Sequence, residues 1–166
     1  MLLRHAKSDW PDVPDRDRPL AKRGRRDAPV IGRWLHDQGY QPEIVICSAA
    51  VRTRETWDLV APGLGGSPSV TFEPRAYAAS ALTLLYLVRE LPADCRAALL
   101  IGHNPGVSEL ASTLIEAAGD DTPGTPGSPG LRFPTAAAAV LEFSGDWAGL
   151  SLARARLVAY TTPADL

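Results

Sequence analysis

Residues 44–60 read "IVICSAAVRTRETWDLV", and this stretch indicates the fold class of the chain. Its first four residues, IVIC, are all apolar, as expected for a short strand that is buried on both faces of a sheet. The rest has a helical pattern that begins at Ser48, a predicted N-cap, and runs to the break at Pro62 and Gly63. A doubly buried strand that leads directly into a helix is the repeating unit of a parallel α/β sheet.

Strand and helix patterns alternate in the same way along the rest of the chain. Apolar runs predict strands at residues 1–3, 44–47, 69–72, 98–101, 137–143 and 156–160. The other helical patterns cover residues 21–38, 80–91 and 106–119, and Pro29 should bend the first of them or mark its true start. Ser80 is the predicted N-cap of the second. We therefore expect a three-layer α/β/α sandwich with a mostly parallel central sheet.

Composition sets limits on the domain count and on the partners. A chain of 166 residues, 45% of them hydrophobic, fits one compact domain that spans residues 1–166. The stretch at residues 119–130 is rich in Pro and Gly, which predicts a mobile loop within that domain. A net charge of -2 argues against a general nucleic-acid binder, because affinity for the phosphate backbone needs an excess of Lys and Arg.

The expected location is the cytoplasm. Cys47 and Cys95 lie in apolar settings without the spacing of metal ligands, so we interpret them as buried thiols of a reducing compartment. The sequence has neither a signal-peptide pattern nor an apolar run long enough to span a bilayer, so no membrane association is expected. Met1 stands so close to Arg4 that the first strand is unusually short, which leaves open a natural start upstream of Met1.

Charged side chains collect where predicted strands give way to helices. Arg4 and His5 end the first strand, and His103 closely follows the strand at residues 98–101. Arg52 lies in the first turn of the helix after IVIC, where free backbone N–H groups and the helix dipole favour an anion. Because ligands of open α/β sheets bind outside the carboxyl ends of the strands, these residues predict one cationic pocket suited to a dianion.

Two other interpretations of these residues stay open at this point. Each residue alone has an ordinary structural explanation, such as a solvated helix arginine or a histidine that hydrogen-bonds its own loop. Paired histidines also occur in metal sites, but Arg4 and Arg52 would repel a cation, and no carboxylate stands at ligand spacing from either histidine. We therefore expect no metal and no cofactor.

Five motifs, in order along nearly the whole chain, resemble those of one family: LLRHAKSDW, CSAAVRTRET, AYAASALTLL, LLIGHNPGVSELA and FPTAAAAVLEF. They are similar to the SixA-type phosphohistidine phosphatases, a branch of the histidine phosphatase superfamily that includes the phosphoglycerate mutases. The resemblance implies a phosphoglycerate mutase-like fold, with His5 as the nucleophile. It also implies that Arg4 and Arg52 bind the phosphoryl group and that His103 is the second pocket histidine. Ala6 stands where the superfamily usually has Gly after Arg-His.

The resemblance further places Tyr77 and Asn104 at the substrate, but it assigns no general acid, the group that protonates an alcohol leaving group in larger members. Glu73 and Asp9 are candidates, and each has an alternative as a solvated loop carboxylate. A phosphoramidate needs less protonation, since imidazole is a better leaving group than an alkoxide. A missing acid would therefore favour phosphohistidine over sugar phosphates.

We expect a metal-independent phosphatase that acts on protein phosphohistidine. The neutral imidazole of His5 would attack phosphorus and form a covalent phosphohistidine, which water then hydrolyses. A protonated His103 would help the two arginines to hold the equatorial oxygens. The alternatives are a small-molecule phosphomonoesterase or mutase of the same superfamily, and a non-catalytic phosphate-binding module. The expected partner is thus a phosphorylated protein or a small phosphorylated substrate.

Overall fold

The computed structural model describes residues 1–115 and 132–166 of the chain. The strands are β1 (Leu2–Arg4), β2 (Ile44–Ser48), β3 (Ser69–Glu73), β4 (Ala98–Gly102), β5 (Ala138–Phe143) and β6 (Ala155–Thr161). The helices are α1 (Lys22–Asp37), α2 (Val51–Leu64), α3 (Ala81–Arg89) and α4 (Gly106–Leu114). The loop predicted at residues 119–130 and the last part of the helix predicted at residues 106–119 lie outside the described residues.

The strands form one mixed sheet in the order β3-β2-β4-β1-β5-β6. The first four strands of this order run parallel to one another, whereas β5 and β6 pair antiparallel. Each predicted strand agrees with an observed strand to within about one residue at either end. The prediction of a mostly parallel sheet is confirmed, and an antiparallel pair of strands extends it at one edge.

Helices cover both faces of the sheet because neighbouring residues of the central strands are apolar and point to opposite sides. Leu3 of β1 belongs to one buried cluster, together with Ile31 of α1 and Val60 of α2. Leu2, its neighbour, belongs to a second buried cluster with residues of α3 and α4 such as Leu110. The three-layer α/β/α arrangement is therefore confirmed. None of the helices in the described ranges is long and apolar enough to cross a membrane.

Pro29 lies inside α1, which runs unbroken from Lys22 to Asp37. Proline lacks the N–H that would continue the helical hydrogen bonds, and this is why it was expected to mark a helix start. The helix tolerates this loss because tertiary burial stabilises the surrounding turn, where Ala28 and Ile31 are fully buried. The alternative that Pro29 is the first residue of the helix is wrong.

The two predicted N-caps have different outcomes. Ser80 caps α3, since its Oγ accepts a hydrogen bond from the backbone N–H of Thr83 at 3.2 Å. Ser48 does not cap α2, because it is the last residue of β2 and Ala50 occupies the N-cap position without a side-chain bond. The hydroxyl of Ser48 is thus available for a long-range contact.

The loop after β1 packs tightly against the start of α1. The backbone N–H of Ala21 donates to the carbonyl oxygen of Lys7 at 2.9 Å. Gly24 lies so close to the same segment that a Cβ atom at this position would be 2.2 Å from the carbonyl oxygen of Lys7. Only glycine allows this approach. The contact fixes the position of the chain directly after Arg4 and His5.

Candidate active site

The two predicted pocket histidines lie side by side at the carboxyl edge of the sheet. Arg4, the last residue of β1, pairs with Gly102, the last residue of the adjacent parallel strand β4. His5 and His103 directly follow these two residues, so the strand register places them together. Their ring centroids are 5.1 Å apart, and both residues are buried.

The hydrogen bond of His5 determines which ring nitrogen is free. Nδ1 lies 2.7 Å from the carbonyl oxygen of Ala6. A carbonyl oxygen only accepts, so Nδ1 carries the hydrogen and Nε2 keeps its lone pair in the neutral ring. Burial, reinforced by the neighbouring His103, Arg52 and Arg4, lowers the pKa of His5 to about 3. At neutral pH, His5 is therefore an uncharged imidazole with Nε2 available as a nucleophile.

His103 is oriented by the serine that was predicted to cap α2. Its Nε2 lies 2.7 Å from Oγ of Ser48, which is fully buried at the end of β2. Its Nδ1 is buried and has no hydrogen-bond partner in the described part of the chain. Burial and the charge of Arg52 lower the pKa of His103 to about 4. In the free protein this lowered pKa favours a neutral ring at pH 7, whereas the sequence-based expectation is a protonated His103 that holds phosphoryl oxygens.

The two predicted phosphate-binding arginines reach the histidines from different elements. Nη1 of Arg4 donates to the carbonyl oxygen of Phe133 at 2.8 Å, and Nε of Arg4 is buried without a partner among residues 1–115 and 132–166. Arg52, in the first turn of α2, donates through Nη1 to the carbonyl oxygen of Asp15 at 2.5 Å. Its Nη2 donates to Oδ2 of Asp15 at 3.0 Å. Each guanidinium therefore keeps other N–H groups for an anion.

Asp15 is a pocket residue that the sequence analysis missed. Its Oδ2 accepts from Arg52 and, at 2.7 Å, from the hydroxyl of Tyr77, while its Oδ1 accepts from Arg18 at 2.9 Å. These bonds, with the one from Tyr77 contributing most, hold the pKa of Asp15 well below its usual range. The carboxylate is thus ionised and neutralises part of the charge of Arg52. It lies in a run of alternating Asp and Arg, and no motif or periodicity distinguishes it there.

Tyr77 and Asn104, which the resemblance placed at the substrate, both border the pocket. The Tyr77 ring meets the His103 ring edge to face, with 5.5 Å between centroids. Nδ2 of Asn104 donates to the carbonyl oxygen of Phe133 at 2.9 Å, and this oxygen also accepts from Arg4. The Phe133 carbonyl therefore links Arg4 to the loop that carries His103.

Comparison with known proteins gives the family of the chain. Residues 1–76, which include Arg4, His5 and Arg52, match the family model of the histidine phosphatase superfamily (branch 1). The chain is 35% identical over 162 residues to an uncharacterized protein of Mycobacterium tuberculosis (strain ATCC 25618 / H37Rv), and the match covers 97% of this chain and 99% of that protein. The chain belongs to the histidine phosphatase superfamily.

Two solved structures of putative SixA phosphohistidine phosphatases are similar to this superfamily member. The structure from Nakamurella multipartitia has a TM-score of 0.83 and 30% sequence identity, and it covers 98% of this chain and 95% of that chain. The structure from Agrobacterium tumefaciens has a TM-score of 0.78 and 28% identity, with 98% and 96% covered. These likenesses confirm the phosphoglycerate mutase-like fold and support a phosphatase.

The two carboxylates considered as general acids make other contacts in this histidine phosphatase superfamily member. Glu73 accepts from the backbone N–H of Arg75 at 2.8 Å and from its guanidinium at 2.9 Å, and these bonds lower the pKa of Glu73. Asp9 accepts from the backbone N–H of Trp10 at 2.9 Å. In the described ranges, neither carboxylate has a hydrogen bond to Arg4, Arg52 or the two histidines.

The pocket of this superfamily member combines one neutral nucleophile with two permanent cations. Nε2 of His5 can attack phosphorus, and the free N–H groups of Arg4 and Arg52 can hold phosphoryl oxygens. The residues that the structure describes contain no group of three or more His, Cys, Asp or Glu side chains that could hold a metal ion.

Proposed function

We propose that this protein removes phosphate from phosphohistidine on another protein, through a covalent phosphohistidine at His5. The observation that carries the proposal is the bond from Nδ1 of His5 to the carbonyl oxygen of Ala6. It leaves Nε2 free to attack, and burial keeps the ring neutral, so no proton has to be removed before the attack.

The reaction takes two displacement steps. In the first, Nε2 of His5 forms a bond to phosphorus while the bond from phosphorus to the substrate ring breaks. The substrate ring is protonated on its other nitrogen, so the electron pair leaves with a neutral imidazole. In the second, water attacks phosphorus, the bond to Nε2 breaks with its electron pair returning to His5, and phosphate is released with both protons of the water. Arg4 and Arg52 hold the equatorial oxygens in both steps, and each charge-assisted hydrogen bond contributes about 1.5 to 3 kcal/mol.

The charges around the pocket support phosphohistidine as the substrate class. An alkoxide leaving group needs a proton, and Asp15, the carboxylate bonded to Arg52, is ionised because its hydrogen bonds hold its pKa well below the usual range. A phosphohistidine that is protonated on its second ring nitrogen releases a neutral imidazole without that help. The similarity to structures described as putative phosphohistidine phosphatases supports the same substrate. The two free cysteines, Cys47 and Cys95, suit a reducing compartment, and we place the protein in the cytoplasm.

The test is a rapid quench of the wild type with phosphorus-labelled substrates: phosphohistidine peptide, phosphoserine peptide and phosphoglycerates. We expect an acid-labile, alkali-stable label on the peptide that contains LLRHAK. His5→Ala should abolish both label and turnover. The matched control is His36→Ala, because His36 lies in α1 with its ring bonded to the carbonyl oxygen of Leu64, away from the pocket. This variant should keep both.

The substrate panel decides among the alternatives. Phosphohistidine should be cleaved at least about a hundredfold faster than phosphoserine, since protonation of an alkoxide by a general acid is worth about a hundredfold or more. Comparable rates on phosphoglycerates would favour a small-molecule phosphomonoesterase or mutase. A protein that binds phosphate but acquires no label on His5 would be a phosphate-binding module, and the proposal would be wrong.

A further inference from the structure

Ser48 makes a buried contact with the pocket that the proposed reaction does not yet use. Ser48 is fully buried at the end of β2, and its Oγ lies 2.7 Å from Nε2 of His103, which is 55 positions further along the chain. The hydroxyl of Ser48 therefore meets the imidazole at a fixed position.

The direction of this hydrogen bond determines where the neutral His103 ring carries its hydrogen. If the hydroxyl of Ser48 donates, Nε2 accepts and the hydrogen lies on Nδ1. If Nε2 donates instead, the buried hydroxyl hydrogen of Ser48 has no acceptor among residues 1–115 and 132–166, and the lone pair of Nδ1 accepts no hydrogen bond from these residues. Each arrangement leaves one buried donor without an acceptor in the described ranges, the N–H of Nδ1 in the first and the hydroxyl of Ser48 in the second. The second also leaves the lone pair of Nδ1 unpaired, so the first is the more favourable one.

The same arrangement suits the binding of a phosphoryl group. Nδ1 of His103 is buried and has no partner in the described ranges, and the ring lies against the ring of His5. An N–H at this atom can donate to a phosphoryl oxygen, whereas a lone pair would repel it. Both arginines already supply positive charge, so a neutral donor completes the set of hydrogen bonds without a third cation.

We propose that Ser48 is a positioning residue that donates its hydroxyl hydrogen to Nε2 of His103 and so keeps the hydrogen of the neutral imidazole on Nδ1, where it can bind a phosphoryl oxygen. This inference rests on the proposed function. It differs from the sequence-based expectation, in which His103 would bind phosphate as a cation.

The charged groups that face His103 agree with a neutral ring. Arg52 and Arg4 oppose a positive charge on it, as does burial, whereas the carboxylate of Asp15 favours one. Asp15 is already bonded to Arg52, Arg18 and Tyr77, so its charge is largely balanced before it acts on His103. A cationic ring would also need Ser48 to accept from Nε2, which leaves the hydroxyl hydrogen without an acceptor in the part of the chain that the structure describes.

The test is ¹⁵N NMR of histidine-labelled protein at neutral pH, first free and then with inorganic phosphate, because pyridine-like and pyrrole-like ring nitrogens resonate far apart. In the wild type, Nε2 of His103 should be pyridine-like and Nδ1 pyrrole-like in both states. Ser48→Ala should give a mixture of tautomers and lower kcat/KM by about tenfold, the usual effect of losing one net hydrogen bond. Ser48→Cys keeps a weak donor of similar size, so its tautomer ratio and its kcat/KM should lie between those of the wild type and of Ser48→Ala.

Thr53→Val provides the matched control, because it removes a neighbouring hydroxyl that bonds to the carbonyl oxygens of Ser48 and Ala50 and not to His103. It should keep the wild-type tautomer. The inference is wrong if the wild-type ring carries its hydrogen on Nε2 or is protonated on both nitrogens, or if Ser48→Ala changes neither tautomer nor rate. The wild-type spectrum needs no turnover and no variant. It therefore decides this point even if the protein proves inactive on every phosphorylated substrate.

Discussion

Acid should destabilise this protein because the fold holds its two pocket histidines neutral. A variant without these histidines should lose less unfolding free energy on acidification. Both rings are buried, and their pKa values in the folded protein are lowered to about 3 for His5 and about 4 for His103. In the unfolded chain each has the ordinary pKa of about 6.5. Between these values the unfolded state binds more protons than the folded state, so stability falls as the pH falls from about 6.5 toward 4.

The size of this effect between pH 7 and pH 5 does not depend on the folded pKa values, provided that both lie below 5. At pH 5 the unfolded histidine is about 1.5 pH units below its pKa, which corresponds to about 2 kcal/mol for each ring. The two rings together should cost the wild type about 4 kcal/mol. Asp15 adds little here, because its lowered pKa affects stability only below the usual range of a carboxyl group.

The assay is urea denaturation at pH 7 and pH 5 of the wild type and of the double variant His5→Asn, His103→Gln. The amide of Asn can donate to the Ala6 carbonyl, and the carbonyl of Gln can accept from Ser48, so the hydrogen bonds are retained without a titrating ring. The wild type should lose about 4 kcal/mol more unfolding free energy than the variant on acidification.

A control variant separates the titration of the rings from general damage to the pocket. Tyr77→Phe removes the bond to Asp15 but no group that titrates between pH 5 and pH 7, so it should lower stability by a similar amount at both pH values. If the double variant shows the same loss on acidification as the wild type, the two rings are not held neutral by the fold, and the reasoning about both tautomers fails with it.

Three further outcomes are expected. Asp15→Asn should bind inorganic phosphate on the order of tenfold more tightly, measured by calorimetry. The reason is that the negative charge beside Arg52, which repels phosphate, is removed while an acceptor for Arg52 remains. Weaker binding would show that the carboxylate instead holds Arg52 in place. Gly24→Ala should cost about 1 to 3 kcal/mol of unfolding free energy in a thermal melt, since its Cβ would lie 2.2 Å from the Lys7 carbonyl oxygen; an unchanged melting temperature would contradict this. Turnover should survive EDTA because the arginines supply the charge that a metal would bring, and a loss reversed by magnesium or manganese would refute that.

The fold was predictable because its central strands are buried on both faces. Such strands are short, unbroken apolar runs, and IVIC at residues 44–47 is recognisable without any partner. The direction of a strand relative to its neighbour was not predictable, because an apolar run has the same pattern in a parallel and in an antiparallel pair. The antiparallel pairing of β5 with β1 and β6 therefore had to come from the structure. Pro29 shows a similar limit of local sequence patterns, since burial of α1 outweighs the tendency of proline to begin or bend a helix.

The site residues were predictable only where a chemically reactive side chain directly follows a strand. His5 and His103 follow apolar strands directly, so parallel pairing alone brings them together. Asp15 and Ser48 reach the pocket through contacts between residues 37 and 55 positions apart, and each had a sufficient local explanation. Asp15 lies in a charged loop, and Ser48 precedes a helix. Contacts of this kind depend on the packing of whole elements, which no local pattern encodes.

The charge balance of the pocket bears on the choice between phosphorus–nitrogen and phosphorus–oxygen bonds. Arg4 and Arg52 are cations, the ionised carboxylate of Asp15 is shared between Arg52 and Arg18, and both histidines are neutral, which leaves a net positive charge before substrate binds. Such a pocket stabilises a phosphoryl dianion but offers no proton from its own neutral or ionised groups. A departing alkoxide would have to take its proton from water. A phosphohistidine that is protonated on its second ring nitrogen already carries the proton it needs, and it releases a neutral imidazole that is far less basic than an alkoxide. The proposed phosphohistidine substrate and the neutral donor at His103 therefore follow from the same electrostatic arrangement.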